Sequence, residues 1–256
     1  MNDYQKAGFA LFDQPIIAPE LLANARARVD AIKRGECNTG HAHWGITNQD
    51  KPDQLQRISQ VHICEQAFHD LLTQSGIGQR LAECVGAKQL KVWGSQLYIK
   101  PPAGPRGDGG DDITGHVGWH RDSQHIPFYH SGVFTLWIPL HATQSASAPI
   151  TYIKGSHIDG VFDLPTGADE LQLSEERARL SVGSHHEWQE VEAILPEGGM
   201  SIHHWHMIHG SAANTTADTR YGLSVGVATE KIRPGSGWDY GYHAILDDEF
   251  LCPTLF

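Results

Sequence analysis

The chain has 256 residues, with 19 Lys plus Arg against 30 Asp plus Glu and a formal net charge of −11 with histidine neutral. That balance argues against a nucleic-acid surface, which is normally basic, and disfavours polyanionic substrates and acidic carrier proteins, although a local basic patch can outweigh a global sum. Hydrophobic residues at 40% and charged residues at 19% suit a globular enzyme with a sizeable core, and no apolar run of about 18 residues offers a membrane span.

The opening stretch Met1-Asn2-Asp3-Tyr4-Gln5-Lys6 has neither a basic start nor an apolar run, so no secretory signal is expected. A helix is predicted over 19–32, where Leu21, Leu22, Ala25, Val29 and Ile32 fall near helical spacing and Gly35 supplies a stop. Two shorter helices follow over 65–72 and 77–85, separated by Ser75-Gly76. Residues 90–100 read as a long strand stopped by Pro101-Pro102. Residues 101–115, rich in Gly, Pro and Asp, read as a loop. The nearly continuous apolar run over 133–140 has the pattern of a buried strand. Short strands are predicted over 150–153, 199–203, 205–209 and 221–228. Short strands between Gly, Pro, Ser and Asn turns indicate a mostly β fold with flanking helices and a double-sheet jelly-roll core. One domain is expected over 1–256, with a helical part at 1–89 and the jelly roll at about 90–230. Cys37, Cys64, Cys84 and Cys252 form no C-x-x-C pair and read as free thiols in a reducing cytoplasm, though an even count leaves disulfides open.

Chemistry concentrates at Gly118-Trp119-His120-Arg121-Asp122. On a strand, residues two apart share a face, so His120 and Asp122 can reach one metal while Arg121 points away. His-x-Asp followed by a distant histidine is the spacing of a 2-His-1-carboxylate triad, which covers one face of an octahedral Fe(II) and leaves the other positions open. His209-Gly210-Ser211 lies downstream, and Arg220 follows eleven residues after the histidine. An arginine on the next strand offers a planar fork for a carboxylate, which points to 2-oxoglutarate. His186-Glu187 is not a zinc-protease helix, because the second histidine is missing.

At these residues the chain resembles the phytanoyl-CoA dioxygenase (PhyH) family of Fe(II)/2-oxoglutarate-dependent oxygenases. Tyr4 to Phe12 and Ile17 to Leu22 resemble the family's opening strand and helix, and Leu97-Tyr98-Ile99-Lys100-Pro101-Pro102 the strand before the first ligand. Trp119-His120-Arg121-Asp122 matches the iron motif, and Thr135 to Leu140 resembles the core strand after it. Gly155-Ser156-His157 matches a family turn, and His209-Gly210-Ser211, Asn214 and Arg220 match the C-terminal motif. Residues 160–191 match nothing in the family.

The resemblance implies Fe(II) on His120, Asp122 and His209, with 2-oxoglutarate and O2 as cosubstrates. It implies that Arg220 binds the distal carboxylate with Ser211 beside it, and that Lys100 lies near the cosubstrate. Trp137 is either a wall of that pocket or core, and Asn214 either belongs to it or makes a turn. Gln96 and Tyr98 share a face and are placed along the same cavity, with Trp119 and Phe128 as substrate contacts. In 203–209, read as continuous strand, 203, 205, 207 and 209 share one face; His204 and His206 read as packing groups. His116, His125 and His130 read as loop or pocket residues, and His41 and His43 as a loop pair or an entrance lining. The implied activity is hydroxylation of an unactivated C–H of a small organic metabolite, with succinate and CO2 as coproducts. Desaturation, epoxidation or ring closure would use the same cofactors, whereas Asp122 occupies the room a halide would need and argues against halogenation. Two other classes stay open, a non-oxygenase cupin-like protein binding zinc or nickel and a non-catalytic binding or regulatory protein on an oxygenase scaffold. Residues 101–115 and 160–186 are expected to gate the pocket.

Overall fold

The computed structural model describes residues 3–104, 115–158 and 187–256. The chain opens with α1 (Asp3–Ala7) and β1 (Phe9–Phe12), then α2 (Pro19–Lys33), whose buried Leu22, Ala25, Val29 and Ile32 sit three and four residues apart. Pro19 starts α2 at a position where the missing N–H would have had no helical partner. β2 (Gly45–Thr47) and β3 (Gln56–Ser59) lead into α3 (Val61–Cys64), α4 (Gln66–Thr73) and α5 (Ile77–Val85). Gly76 and Gly86, both at φ 69°, bracket α5 in the left-handed conformation that glycine tolerates. The rest is β4 (Leu90–Lys100), β5 (Val117–His120), β6 (Tyr129–Pro139), β7 (Thr151–Ile153), β8 (Glu190–Glu192), β9 (Met200–His204), β10 (His209–Ser211), β11 (Arg220–Pro234) and a short α6 (Tyr242–Ile245).

The strands form two antiparallel sheets, a seven-stranded one ordered β1-β9-β6-β11-β4-β3-β2 and a four-stranded one ordered β5-β10-β7-β8. This is a double-sheet jelly roll with flanking helices. Side-chain alternation divides the large sheet into two faces. Leu97, Ile99, Leu136, Ile138, Leu223 and Val225 point one way and pack with Leu22, Phe68 and Leu71 of the helices into the main core. Gln96, Tyr98, Thr135 and Ser224 point the other way, into a cavity.

Two expectations need correction, and a third lies mostly outside the described residues. The first third of the chain is not only helical, because β1, β2 and β3 join the large sheet. These strands have four, three and four residues, too few for alternation to show. No strand forms over 205–208, and His209 instead opens β10. The chain turns after His204, with Met207 N–H donating to the His204 carbonyl at 2.7 Å, so β9 and β10 enter different sheets. Most of both expected gating segments, 105–114 and 159–186, lies outside the described residues, as does His186. All four cysteines are free thiols.

His62 of α3 links the helical layer to the sheet. Its ring accepts from Ser95 Oγ at Nδ1 (2.7 Å) and donates from Nε2 to the Leu251 carbonyl (2.8 Å), so the buried ring is fully paired only when neutral. Burial pulls its pKa from 6.5 down to about 4. The unfolded chain therefore binds the proton more tightly, and the contribution of His62 to stability is complete above pH 6.5 and lost as pH falls toward 4. The difference corresponds to about 3 kcal/mol over the window and about 2 kcal/mol by pH ~5. Urea unfolding at neutral pH and near pH 5 should show a loss of at least this order, and a smaller loss in His62→Gln; an equal loss in the variant would assign the acid sensitivity elsewhere.

Candidate functional site

His120 closes β5, and His209 opens β10 directly opposite it in antiparallel register. Asp122 does not sit on the strand. Arg121 stays extended (φ −115°, ψ 137°), and Asp122 then starts a 3-10 turn over Asp122–Gln124. Alternation thus persists for one residue past the strand, and Asp122 faces the same way as His120. Arg121 turns outward to donate to the Ser156 carbonyl at 3.3 Å. One ligand-type atom each from His120, Asp122 and His209 lies within 4.8 Å of the others. Asp122 Oδ1 is 3.9 Å from His120 Nε2 and 3.7 Å from His209 Nε2.

The surroundings hold these groups in ligand form. His120 Nδ1 donates to the Gly118 carbonyl (2.8 Å) and His209 Nδ1 to that of Met207 (3.0 Å), so each ring turns an Nε2 lone pair toward Asp122. Burial, then the His120 and His203 charges, lower the His209 pKa well below the usual imidazole value. Burial pushes the Asp122 carboxyl up, but His209 and the hydrogen bond from His203 outweigh it and hold it below the usual carboxylate range. Two imidazole nitrogens with one carboxylate oxygen suit a first-row divalent ion.

Asp122 Oδ2 is separately engaged. It accepts from Thr135 Oγ1 and from His203 Nε2, the latter at 3.0 Å. Thr135 and His203 lie opposite each other across β6 and β9, so sheet pairing builds this clamp. Spacing along the chain gave no sign of it.

A second cluster lies behind the first. Arg220 opens β11 opposite Lys100, the last residue of β4. Both are buried, Arg220 at 2% exposure and Lys100 at 0%. Ser211 is their common acceptor, taking Lys100 Nζ at 2.6 Å and Arg220 Nη2 at 3.2 Å while donating to the Ala148 carbonyl at 2.9 Å. Lys100 also donates to the Ala212 carbonyl (2.6 Å) and Arg220 Nη2 to that of Ala148 (3.0 Å). Trp137 lies against the guanidinium, whose carbon is 5.1 Å from the ring centroid. A Cβ on Gly222 would meet that indole at 2.1 Å, so only glycine fits between them. Burial lowers the Arg220 pKa to about 10, leaving it cationic, and burial with the charges of Arg220 and Arg57 lowers Lys100 well below an ordinary amine. Arg220 Nε and Nη1 have no partner among the described residues, and no carboxylate there pairs with either cation. Buried charges are costly unless paired, so this pocket is built for an anion.

The cavity beside the metal cluster holds about 470 Å³, and its walls include His120, Asp122, Thr135, Gln96, Tyr98 and Phe128. Gln96 accepts from Tyr98 Oη at 3.1 Å. Tyr98 packs edge-on against Trp137 at 5.7 Å, and Trp137 in turn lies against Arg220. Trp119 is not brought to the cavity. Next to His120 on β5, it points to the opposite face and meets Trp188 at 5.4 Å. Asn214 makes the turn before β11, donating to the Lys100 and Asp218 carbonyls at 3.2 and 2.8 Å. His206 bonds Ser123 Oγ at 2.9 Å and His204 packs near His157; neither joins the metal cluster.

The model of the phytanoyl-CoA dioxygenase (PhyH) family matches residues 4–222, and the chain belongs to this family. A curated relative, a probable alpha-ketoglutarate-dependent hypophosphite dioxygenase of Stutzerimonas stutzeri, is 25% identical over 195 residues. The alignment spans 75% of this chain and 64% of that protein, less than two thirds of its length. Among solved structures, the non-heme alpha ketoglutarate dependent carbocyclase SnoK from nogalamycin biosynthesis is similar with TM-score 0.72 at 19% identity, over 99% of this chain and 94% of its own. EvdO2 from Micromonospora carbonacea var. aurantiaca, complexed with 2-oxoglutarate, is similar with TM-score 0.60 at 17% identity, over 93% and 91%. At these identities the two structures establish the fold.

One divalent ion per chain is expected to bind at His120, Asp122 and His209. Calorimetric titration with Mn(II) should give unit stoichiometry, lost in His209→Ala and Asp122→Ala with the circular dichroism unchanged. Thr135→Val removes a hydrogen bond to the carboxylate and should weaken the ion by about tenfold to a hundredfold; unaltered affinity would show that Oδ2 needs no support.

Proposed function

We propose that this member of the phytanoyl-CoA dioxygenase family is an Fe(II)/2-oxoglutarate-dependent oxygenase that hydroxylates an unactivated C–H of a small organic metabolite, using O2 and releasing succinate and CO2. The observation that carries this reading is the buried, unpaired guanidinium edge of Arg220 behind a His–Asp–His cluster. Either feature alone has many explanations. Together they suit a dicarboxylate that is bound at both ends.

In this reading His120, Asp122 and His209 hold Fe(II) from one side. Iron with 2-oxoglutarate supplies the oxidising power when bound, and the protein's own residues bind, orient and shield. Nε and Nη1 of Arg220 take the distal carboxylate as a fork. Ser211 and Lys100 flank it, and Trp137 keeps water from the guanidinium. An anion there also relieves the repulsion between Arg220 and Lys100. Tyr98 swings aside to admit the cosubstrate, and Gln96 moves with it through their hydrogen bond. Thr135 and His203 keep Asp122 Oδ1 aimed at the metal and reserve Oδ2 for the protein.

The cavity volume favours an organic substrate. Hypophosphite, named for the curated relative, is a small inorganic ion. A space of about 470 Å³ with aromatic walls lies within the ~300–1,000 Å³ typical of sites for small organic ligands.

Arg220→Ala should lower 2-oxoglutarate affinity by about tenfold to a hundredfold, from loss of a charge-assisted contact of about 1.5–3 kcal/mol. Arg220→Lys should recover only part, because a point charge cannot replace the fork. Titration of 2-oxoglutarate into the anaerobic Fe(II) protein measures both, and full affinity in Arg220→Ala would remove the basis of the proposal. Oxygen uptake that depends on 2-oxoglutarate, and is absent in His209→Ala, tests the activity.

A further inference from the structure

The cavity contains a cation that the chemistry above does not use. Arg57, half-buried on β3, lies opposite Tyr98 of β4, with its guanidinium carbon 5.4 Å from the Tyr98 ring centroid. It is the only Lys or Arg among the described residues lining the cavity. The only carboxylate there is Asp122, already held by Thr135 and His203. Arg57 has no ion pair among the described residues. A guanidinium stacked on a tyrosine face keeps its planar donor edge for another group.

The opposite end of the cavity is aromatic. Phe128 stacks on Tyr242 with centroids 5.4 Å apart and planes 9° from parallel. Trp93 meets Phe128 and Tyr242 edge-on at 5.9 and 5.1 Å, and Trp44 leans on Tyr242 at 4.9 Å. Trp93 reaches this face through a bulge. Gly226 pairs with Gly94 and Val227 with Val92, so Trp93 is the extra residue on β4 and its indole falls on the cavity side. A Cβ at Gly226 would meet that indole at 2.2 Å, so the sheet is stripped of a side chain to let the ring lie flat. Trp44 at 41% exposure and Tyr240 at 66% extend the aromatic surface outward. The walls thus offer flat apolar surface at one end, a single fixed positive charge at the other, and the metal cluster along one side.

We propose that the substrate is a small, largely planar organic anion, with its carboxylate or phosphoryl oxygens paired to Arg57 and its ring against Trp93, Phe128 and Tyr242, and that this pairing sets which C–H faces the metal. The proposal rests on the oxygenase reading for the reaction, but not for the binding. The volume admits a metabolite-sized molecule and excludes a bulky polyanionic carrier within the walls. With a net charge of −11 the surface does not attract anions, so the attraction must come from the local field of Arg57.

Matched pairs of probes test it: indole-3-acetate against indole-3-acetamide, benzoate against benzamide, and phenyl phosphate against benzyl alcohol. Binding is followed by tryptophan fluorescence and calorimetry, on the metal-free protein and on the anaerobic Fe(II)·2-oxoglutarate complex. The anion of at least one pair should bind about tenfold or more tightly than its neutral partner. That preference should vanish in Arg57→Gln and partly return in Arg57→Lys, while 2-oxoglutarate affinity stays at the wild-type value. The carboxylate and phosphate pairs distinguish the two anion types. No charge preference in any pair, or no binding of any probe, overturns the proposal. So does weakened 2-oxoglutarate binding in Arg57→Gln without any probe, which would assign Arg57 to the cosubstrate. Anion binding that depends on Arg57, in a protein with no 2-oxoglutarate-dependent oxygen uptake, would retain this inference and reject the oxygenase reading.

Discussion

One register governs the site. β10 runs antiparallel to β5 with His209 opposite His120, and both candidate histidine ligands come from that single pair. Side chains alternate along a strand, so a slip of one residue would carry a histidine to the outer face. The same slip would carry Ser211 with it, because it lies two residues beyond His209 on the same short strand. Ser211 is the acceptor shared by Lys100 and Arg220. The metal cluster and the anion pocket are therefore coupled through three residues of β10. Pairing of β10 to β7 on its other edge, with His209 opposite Tyr152, locks this strand from both sides.

The large sheet contributes differently. Its helix-covered face holds the main apolar core, and its opposite face is free to carry polar groups. The buried Arg220 and Lys100, with no acidic partner among the described residues, oppose folding, and apolar burial on the far side of the same strands offsets them. The unliganded fold thus keeps an unfavourable local field that an anion relieves. An enzyme cosubstrate bound by such a pocket also stabilises the folded state, in proportion to how far its concentration exceeds its dissociation constant.

The parts of this arrangement readable in the sequence are those written in local spacing. The strand at 90–100 shows because Val92, Trp93, Tyr98 and Ile99 are β-formers and Pro101-Pro102 supplies a stop. The helices at 19–33 and 77–85 show through apolar periodicity and a flanking glycine. His120 and Asp122 show because alternation outlasts the strand by one residue, even though Asp122 starts a turn. His203 does not show as a partner of Asp122, because the pairing of β9 with β6 that brings its Nε2 directly to the carboxylate is not written in local spacing. Nor does Trp93, whose direction is set by a bulge that depends on its neighbour strand. The expected strand at 205–209 fails for a related reason. An alternating run of His, Trp and Met fits strand chemistry, but Trp205 and Met207 are drawn into two different clusters on either side of a turn.

The candidate site and the cavity wall draw on different stretches of the chain only in part, since Arg57, Trp93 and Phe128 of the wall share the stretch that holds the candidate site residues. His120, Asp122, His209, Arg220, Ser211 and Lys100 all fall within residues 4–222, the stretch the family model matches. Gly226, Tyr240 and Tyr242 of the cavity wall lie beyond it. The final segment is tied to the chain after Asp122, where Gly235 and Gly237 N–H donate to the Phe128 and Pro127 carbonyls, and to the helical layer. Leu90 N–H donates to the Phe256 carbonyl and Val92 N–H to that of Pro253, and His62 grips Leu251 from the helical layer. Tyr240 and Tyr242 are therefore held from two sides, and Tyr242 meets Phe128 of the earlier chain face to face and Trp93 face to edge.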